Sequence, residues 1–150
     1  MKKIIIAALS LCFVISASAF APKKKTKTVL NPKIEKNFVQ EFGNLENVEW
    51  SEAPNDLVKG TFKVEDQAVE AYFDADGNYV CSTSPIAKEN LSIKLRSALA
   101  KKLGNTGINA IIEVNSASDG VAYYVQSTDT NGTKVWKCRA DGSIEFFKKL

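Results

Sequence analysis

The sequence predicts an α+β fold made of a tandem repeat, in which each copy is one helix followed by a four-stranded antiparallel sheet. A helical pattern and four short strand patterns occur in that order twice. Two motifs recur with them: Phe42-Gly43-Asn44 returns as Leu103-Gly104-Asn105, and Ala75-Asp76-Gly77 returns as Ala140-Asp141-Gly142. Because one copy is too small to bury its helix well alone, we expect a single domain over residues 31–150, with the helices packed on one sheet face.

The first copy spans residues 31–83 and opens with a helix. Asn31 is a suitable N-cap, and Pro32 suits the first helical position. Apolar residues then form one stripe at a spacing of four, and Gly43 provides the stop. The stripe consists of Ile34, Phe38 and Phe42, and the strand patterns after it lie at residues 48–51, 58–64, 68–74 and 78–82.

The second copy spans residues 84–150. Here Ser84-Pro85 is expected to open the helix and Gly104 to end it. Asn131-Gly132 and Asp141-Gly142 are strong hairpin signals, because glycine accepts the positive φ angles of tight turns. The buried stripe consists of Leu91, Leu95, Leu99 and Leu103, and the strand patterns lie at residues 108–115, 121–128, 134–139 and 143–147.

Residues 1–19 have the pattern of a secretory signal peptide. Lys2 and Lys3 form a positive start, and the apolar residues 4–15 are too few to span a membrane. Ala17-Ser18-Ala19 then fits the small-residue cleavage rule. We therefore expect cleavage after Ala19 and a periplasmic or secreted protein. No later apolar run approaches membrane-spanning length, so no membrane span is expected in the mature protein.

Charge is distributed unevenly along the chain. Residues 20–30 are basic and lack apolar periodicity, which predicts a flexible leader. Residues 34–150 hold 13 basic and 17 acidic side chains, a net charge of −4. This mildly acidic body argues against nucleic acid as a partner. The leader lysines are expected to form a solvated tether, with contact to an anionic surface as the alternative.

The absence of histidine from the whole sequence limits the chemistry, because histidine is the usual general base at neutral pH and the commonest zinc ligand. Catalysis by serine or cysteine through histidine is therefore excluded. Asp74 and Asp76 are interpreted as hairpin-turn residues, since neither a glycosidase pair nor a calcium loop is supported by the surrounding residues. No phosphate-binding glycine loop or metal-spaced cysteine cluster is present. We expect no catalytic residue, no cofactor and no metal.

Two cysteines remain after export, Cys81 and Cys138, in a compartment that permits disulfides. Their even number is compatible with one disulfide. Both lie in predicted strands, where cysteine also packs well as a small apolar residue. A Cys81–Cys138 disulfide and two buried thiols are therefore both open.

Aromatic residues on the predicted strands are the candidate partner contacts. Tyr123 and Tyr124 are adjacent, so they point to opposite sheet faces, and at most one can join a helix-covered core. Tyr72 shares a face with Glu70 and is expected to point outward. Exposed aromatics with polar neighbours suit interface anchors. The predicted contacts are Tyr72, Tyr79, Tyr124 and Trp136, whereas Trp50 is expected to pack against its own helix.

Short aromatic and turn motifs also carry a family resemblance. They are Phe38 and Phe42 on the first helix, Val48-Glu49-Trp50, residues 71–77, Tyr123-Tyr124-Val125 and residues 139–142. Together they resemble the PepSY-like, β-lactamase-inhibitor-like family of small secreted bacterial proteins. The resemblance covers most of residues 34–147. It implies a layered α+β fold with an open sheet face, no shared enzymatic activity, and binding of proteins or peptides, in some members as inhibitors.

The sequence thus predicts a non-enzymatic exported domain that recognises a protein or peptide, with inhibition of that partner as one option. A structural or envelope-associated protein tethered by its basic leader is the alternative. A small hydrolase that uses carboxylates alone is a remote third hypothesis.

Overall fold

The computed structural model describes residues 30–104 and 106–150. The predicted signal peptide and nearly all of the predicted leader lie outside these residues. In the first copy, helix α1 spans Pro32–Phe42. Four strands follow it: β1 (Glu49–Ala53), β2 (Leu57–Val64), β3 (Gln67–Phe73) and β4 (Tyr79–Pro85).

In the second copy, a short 3-10 helix at Lys88–Asn90 precedes helix α2, which spans Ile93–Leu103. Four strands again follow the helix: β5 (Gly107–Ser116), β6 (Gly120–Asp129), β7 (Gly132–Cys138) and β8 (Ile144–Lys149). All eight predicted strands are present, with ends that differ by a few residues. Within the described part of the chain, no helix is long and apolar enough to cross a membrane.

The eight strands form one antiparallel sheet in the order β1 to β8, so β1 and β8 are its edges. This confirms the predicted α+β class, with a helix and four antiparallel strands in each copy. By its contacts the chain divides into two compact units. One ends at Phe62 and also takes in Glu70–Val80, and the other comprises Lys63–Val69 and Cys81–Leu150.

The second helix begins later than the sequence suggested. Ser84 and Pro85 do not open it; they end strand β4, where Pro85 is paired with Ile112 of β5. The N-cap is Ser92, whose hydroxyl accepts a hydrogen bond from the backbone N–H of Leu95 at 3.1 Å. The prediction was wrong because the fixed φ of proline suits the end of a strand as well as the first turn of a helix.

Aromatic rings build the core of the first unit. Phe38, on the apolar stripe of α1, is 4% exposed. Its ring centroid lies between 5.1 and 6.4 Å from those of four other rings, which belong to Phe42, Trp50, Phe62 and Phe73. Trp50 therefore packs against its own helix, as predicted.

Aliphatic side chains build the core of the second unit. Leu95 and Leu99 of α2 are completely buried, and together with Leu91 they cover the strands below. Their buried partners on the strands are Ile111, Val125 and Cys138. The leucine stripe predicted from the sequence is thus the contact face of α2.

Each helix is tied through its N-cap to a turn of its own copy. The Asn31 side chain accepts a hydrogen bond from the N–H of Lys33 (3.0 Å), and its Nδ2 donates to the carbonyl of Ala75 (3.3 Å). In the second copy the Ser92 hydroxyl donates to the carbonyl of Ala140 at 2.8 Å. Ala75 and Ala140 open the two repeated Ala-Asp-Gly turns, so the motif marks the point where the turn meets the helix.

Candidate protein-binding site

An aromatic pair lies on strands β7 and β8, with Phe146 exposed and Trp136 half-buried. Trp136 and Phe146 are paired residues, so their side chains project from the same face. Their ring centroids are 5.8 Å apart and the rings meet edge to face at 80°. Phe146 is 59% exposed, although it is a large apolar side chain. Lys102, in the last turn of α2, places its Nζ 5.1 Å from the centre of the Trp136 ring. We call these three residues the Trp136 patch.

The indole of Trp136 is held in one orientation. Its Nε1–H donates a 2.9 Å hydrogen bond to the hydroxyl of the buried Ser127. The ring also packs against the margin of the α2 core, and the Lys102 ammonium lies over its face, where the ring quadrupole attracts a cation. A side chain that is already fixed loses little entropy on binding, which suits an interface anchor.

Several positively charged side chains on or next to strand β7 form ion pairs. Asp119 accepts hydrogen bonds from Lys137 (2.7 Å) and Arg139 (3.2 Å), and the Lys137 bond in particular holds the pKa of Asp119 below its ordinary value of 3.8. Lys134 donates to Asp129 at 2.7 Å and lowers the pKa of that carboxyl in the same way. Lys102, the cation of the Trp136 patch, has a different environment: it is exposed and lies over an aromatic ring.

Tyr72 lies on the predicted side of strand β3, but it does not face solvent. Tyr72 as a whole is only 7% exposed. Its hydroxyl donates a 2.7 Å hydrogen bond to Glu70, and the other oxygen of that carboxylate accepts from Lys59 at 2.8 Å. The expectation of an outward tyrosine is therefore wrong. A tyrosine whose hydroxyl is paired in this way can bury its ring at little cost.

Tyr124 and Tyr79 are also core residues. Tyr123 packs at the margin of the α2 core, as one of the two adjacent tyrosines was expected to do, but Tyr124 on the opposite face is 1% exposed and meets the ring of Phe147 at 5.1 Å. Tyr79 is half-buried among the aromatic rings of the first unit. Strand alternation predicted the face of each ring correctly, but not what covers that face. Of the four predicted contacts, only Trp136 lies beside an exposed aromatic ring, that of Phe146.

Cys81 and Cys138 are buried thiols that are not joined by a disulfide. Cys81 lies on β4 and Cys138 on β7, with β5 and β6 between them. Three inter-strand spacings amount to about 14 Å, whereas a disulfide requires Cα atoms within about 7 Å. Burial raises the pKa of the Cys138 thiol to about 12, so this side chain acts as an inert apolar residue.

The predicted turn carboxylates bond to their own backbone. Asp74 accepts a hydrogen bond from the N–H of Asn78 at 2.8 Å, and Asp141 accepts one from the N–H of Ser143 at 2.9 Å. Over residues 30–104 and 106–150, no group of three or more cysteine, aspartate or glutamate side chains is placed to hold a metal ion. Asp74 and Asp141 thus both brace the turns in which they lie.

A shallow cavity of about 300 Å³ lies in the first unit, between α1 and the start of β1. Its lining combines apolar side chains with one amide and one carboxylate, that of Glu35. The residues that line it are Glu35, Phe38, Val39, Asn44, Leu45, Val48 and Trp50. Its size and lining suit one apolar or aromatic side chain of a partner.

The two copies carry opposite charge. Residues 31–83 contain 4 basic and 11 acidic side chains, a net charge of −7. Residues 84–150 contain 10 basic and 6 acidic side chains, a net charge of +4. The cavity therefore lies in the acidic copy and the Trp136 patch in the basic one. The net charge of −4 over residues 34–150 does not reveal that the two copies have opposite charge.

Sequence reasoning missed two of the three residues of the Trp136 patch. Phe146 was assigned only to a strand pattern, because Phe146 and Phe147 together look like ordinary core residues. A signal was present in the chain order, since the last strand of a repeat is a candidate sheet edge, where an exposed aromatic is unusual. Lys102 could be placed near the patch only once the packing of α2 was known.

These features define a class: an α+β protein of tandem helix-and-sheet copies with a PepSY-like fold and an aromatic surface patch. Solved structures share that fold. A DUF2874 family protein from Bacteroides uniformis has a TM-score of 0.69 and 12% identity, over 77% of this chain and 86% of that one. A BLIP-like protein from Bacteroides fragilis has a TM-score of 0.72 and 12% identity, over 80% and 86%. A protein from Bacteroides eggerthii, described as a candidate periplasmic protein, has a TM-score of 0.68 and 10% identity, over 82% and 89%.

The likeness to these proteins is one of fold. No protein-family model matches the chain, and no curated protein matches it. The resemblance inferred from the aromatic and turn motifs is confirmed at the level of structure, at low sequence identity. The chain is thus similar in structure to BLIP-like and candidate periplasmic proteins of Bacteroides.

Proposed function

We propose that this protein is a non-catalytic, exported binding protein that holds a protein partner on the Trp136 patch. The observation that carries the proposal is the exposed ring of Phe146, set edge to face against an indole that Ser127 and Lys102 hold in place. Large apolar side chains exposed in clusters mark interaction sites. Tryptophan and positively charged side chains are also enriched where binding energy concentrates.

Three further observations support a binding role. The similarity to a BLIP-like protein favours a partner that is itself a protein. The absence of histidine and the structural use of Asp74 and Asp141 leave little for a catalytic mechanism. The N-terminal pattern of positive start, apolar core and small-residue cleavage site supports export, as does the likeness to a candidate periplasmic protein.

The proposal is tested by site-specific crosslinking in cells. A photoreactive phenylalanine analogue replaces Phe146 in the full chain, and in a matched control it replaces Val121, which is 44% exposed in the same copy. We expect a discrete crosslinked species from position 146 and none from position 121. The absence of any adduct at position 146, or an equal adduct at both positions, would contradict a binding role for the patch.

A further inference from the structure

Strand β8 is an edge of the sheet, and it carries an exposed aromatic ring. Edge strands present backbone groups to other chains, and proteins often blunt them with short strands, lysines and bulges. β8 is short and ends in two lysines, but it also carries the exposed Phe146 of the Trp136 patch. Lys149 at its end is also exposed, and Lys102 lies beside it over Trp136. This edge therefore fits a strand that offers an apolar cavity and negative charge.

Strand β1, the other edge, has those properties. Glu49 and Glu52 are both exposed on it. The cavity of about 300 Å³ lies directly beside β1, because Trp50 of this strand and Val48 before it form part of its lining. The copy around it is strongly acidic, as the charge of residues 31–83 shows. The β1 edge thus offers a cavity and negative charge, which complement the exposed ring and the positive charge of the β8 edge.

We propose that the partner of the Trp136 patch is a second copy of this chain. Strand β8 of one copy adds to strand β1 of the next, and Phe146 enters the cavity beside Trp50. Lys102 and Lys149 then lie on the same face as Glu52. Glu49 projects from the opposite face of β1 and adds to the negative charge of that edge. This inference rests on the proposed function of the patch and names the partner that it holds.

The contact is heterologous, because it joins two different surfaces. Each copy in a pair therefore keeps one unused edge, and further copies can add until a ring closes or a filament grows. Backbone pairing and the aromatic side chain supply attraction that salt does not screen, whereas the exposed charges add attraction that salt weakens. Association is accordingly expected to be strongest at low ionic strength.

The test uses the processed protein, expressed from the full chain and purified, in sedimentation velocity over a range of concentration and salt. E49K/E52K reverses the charge of one edge, and K102E/K149E reverses that of the other. The matched controls are E65K/D66K in the first copy and K88E/K94E in the second, all at exposed positions. Circular dichroism checks that each variant is folded.

We expect the unaltered protein and both controls to associate equally. Each edge variant alone should dissociate about tenfold more readily or worse, because like charges then meet across the contact. An equimolar mixture of the two edge variants should associate again, because the intact β8 edge of one meets the intact β1 edge of the other. F146S should lose association at low salt and at high salt alike.

Other outcomes overturn the inference. A protein that is monomeric at every concentration and salt excludes it. If K102E/K149E abolishes association while E49K/E52K leaves it unchanged, the contact joins two β8 strands and not β8 with β1. The crosslink at position 146 separates the two proposals: an adduct with twice the mass of the chain supports both, whereas an adduct with a different protein supports the binding function and contradicts self-association.

Discussion

The two copies share their turn contacts but differ in the side chains that fill their cores. In both, the N-cap side chain bonds the carbonyl that opens an Ala-Asp-Gly turn: Asn31 with Ala75, and Ser92 with Ala140. The core of the first unit is a cluster of aromatic rings around Phe38, whereas that of the second is a set of leucines and small strand residues around Leu99.

This difference shows what each kind of contact specifies. A cap and a turn set where a helix begins and where it touches the sheet, and few residue types can do this, so a short motif is enough. A core requires apolar volume, and many combinations of side chains supply it. The surfaces differ most of all, since one copy is strongly acidic and the other basic.

The largest expected effect comes from truncating the central ring of the aromatic core. Phe38→Ala removes a side chain that meets four other rings, and we expect it to lower the free energy of unfolding by about 3–5 kcal/mol. Leu99→Ala in the other core should cost about 2–5 kcal/mol, toward the lower end, because leucine fills less space. Urea denaturation followed by circular dichroism measures both.

The matched control for this comparison is Val39→Ala. Val39 lies next to Phe38 on α1 but is 48% exposed, so its truncation should change stability by less than about 0.5 kcal/mol. Equal losses for Val39→Ala and Phe38→Ala would contradict a dominant role for aromatic packing at Phe38, because alanine favours the helix at both positions.

A smaller effect is expected where a ring lies on a glycine of the first copy. Trp50 of β1 is paired with Gly60 of β2, and a Cβ at Gly60 would lie 2.8 Å from Cζ3 of the indole. Gly60→Ala should therefore displace the ring and cost about 1–3 kcal/mol. Near-ultraviolet circular dichroism should change with it. Gly107→Ala is the control, because a Cβ there meets nothing within 4 Å; a similar loss in both variants would contradict the steric explanation.

The fold could be predicted largely because its signals are local. The spacing of Ile34, Phe38 and Phe42 defined the first helix, and glycine turns separated the strands. The start of the second helix was assigned wrongly at Ser84-Pro85, because a local pattern does not distinguish the end of a strand from the start of a helix. The true cap, Ser92, lies beyond a 3-10 turn that has no strong sequence signature.

The candidate site was less predictable, because it depends on what covers each face. Alternation along a strand places Tyr72 opposite Phe73, but only the tertiary structure shows that Tyr72 is buried and bonded to Glu70. The exposure of Phe146 likewise depends on β8 being a sheet edge. Trp136 was identified because its aromatic ring has polar neighbours in the sequence. In the structure its ring also has a charged neighbour, Lys102.

The N-caps of the two helices provide the next test, with a moderate expected loss of stability. Ser92→Ala should cost about 1–2 kcal/mol and Asn31→Ala about 0.5–1 kcal/mol. The order follows from the bond lengths to the turn, 2.8 Å in the second copy against 3.3 Å in the first. Glycine at an N-cap costs only about a few tenths of a kcal/mol, so a larger loss in Ser92→Gly would measure the bond to Ala140. If Ser92→Gly is as stable as the unaltered protein, the turn contact contributes nothing.

The smallest expected effect concerns pH and the basic copy. Hydrogen bonds from Lys137 and Arg139 hold the pKa of Asp119 below 3.8 in the folded protein, so the unfolded chain binds this proton more readily. The resulting stability is present in full above about pH 4 and is lost as the pH falls through the lower folded pKa. Because Asp119 is nearly half exposed, solvent screening limits the contribution to below about 1 kcal/mol. Urea midpoints measured from neutral pH downward should therefore converge for Asp119→Asn and the unaltered protein in acid and differ at neutral pH, and a constant difference at every pH would show that the ion pair contributes nothing.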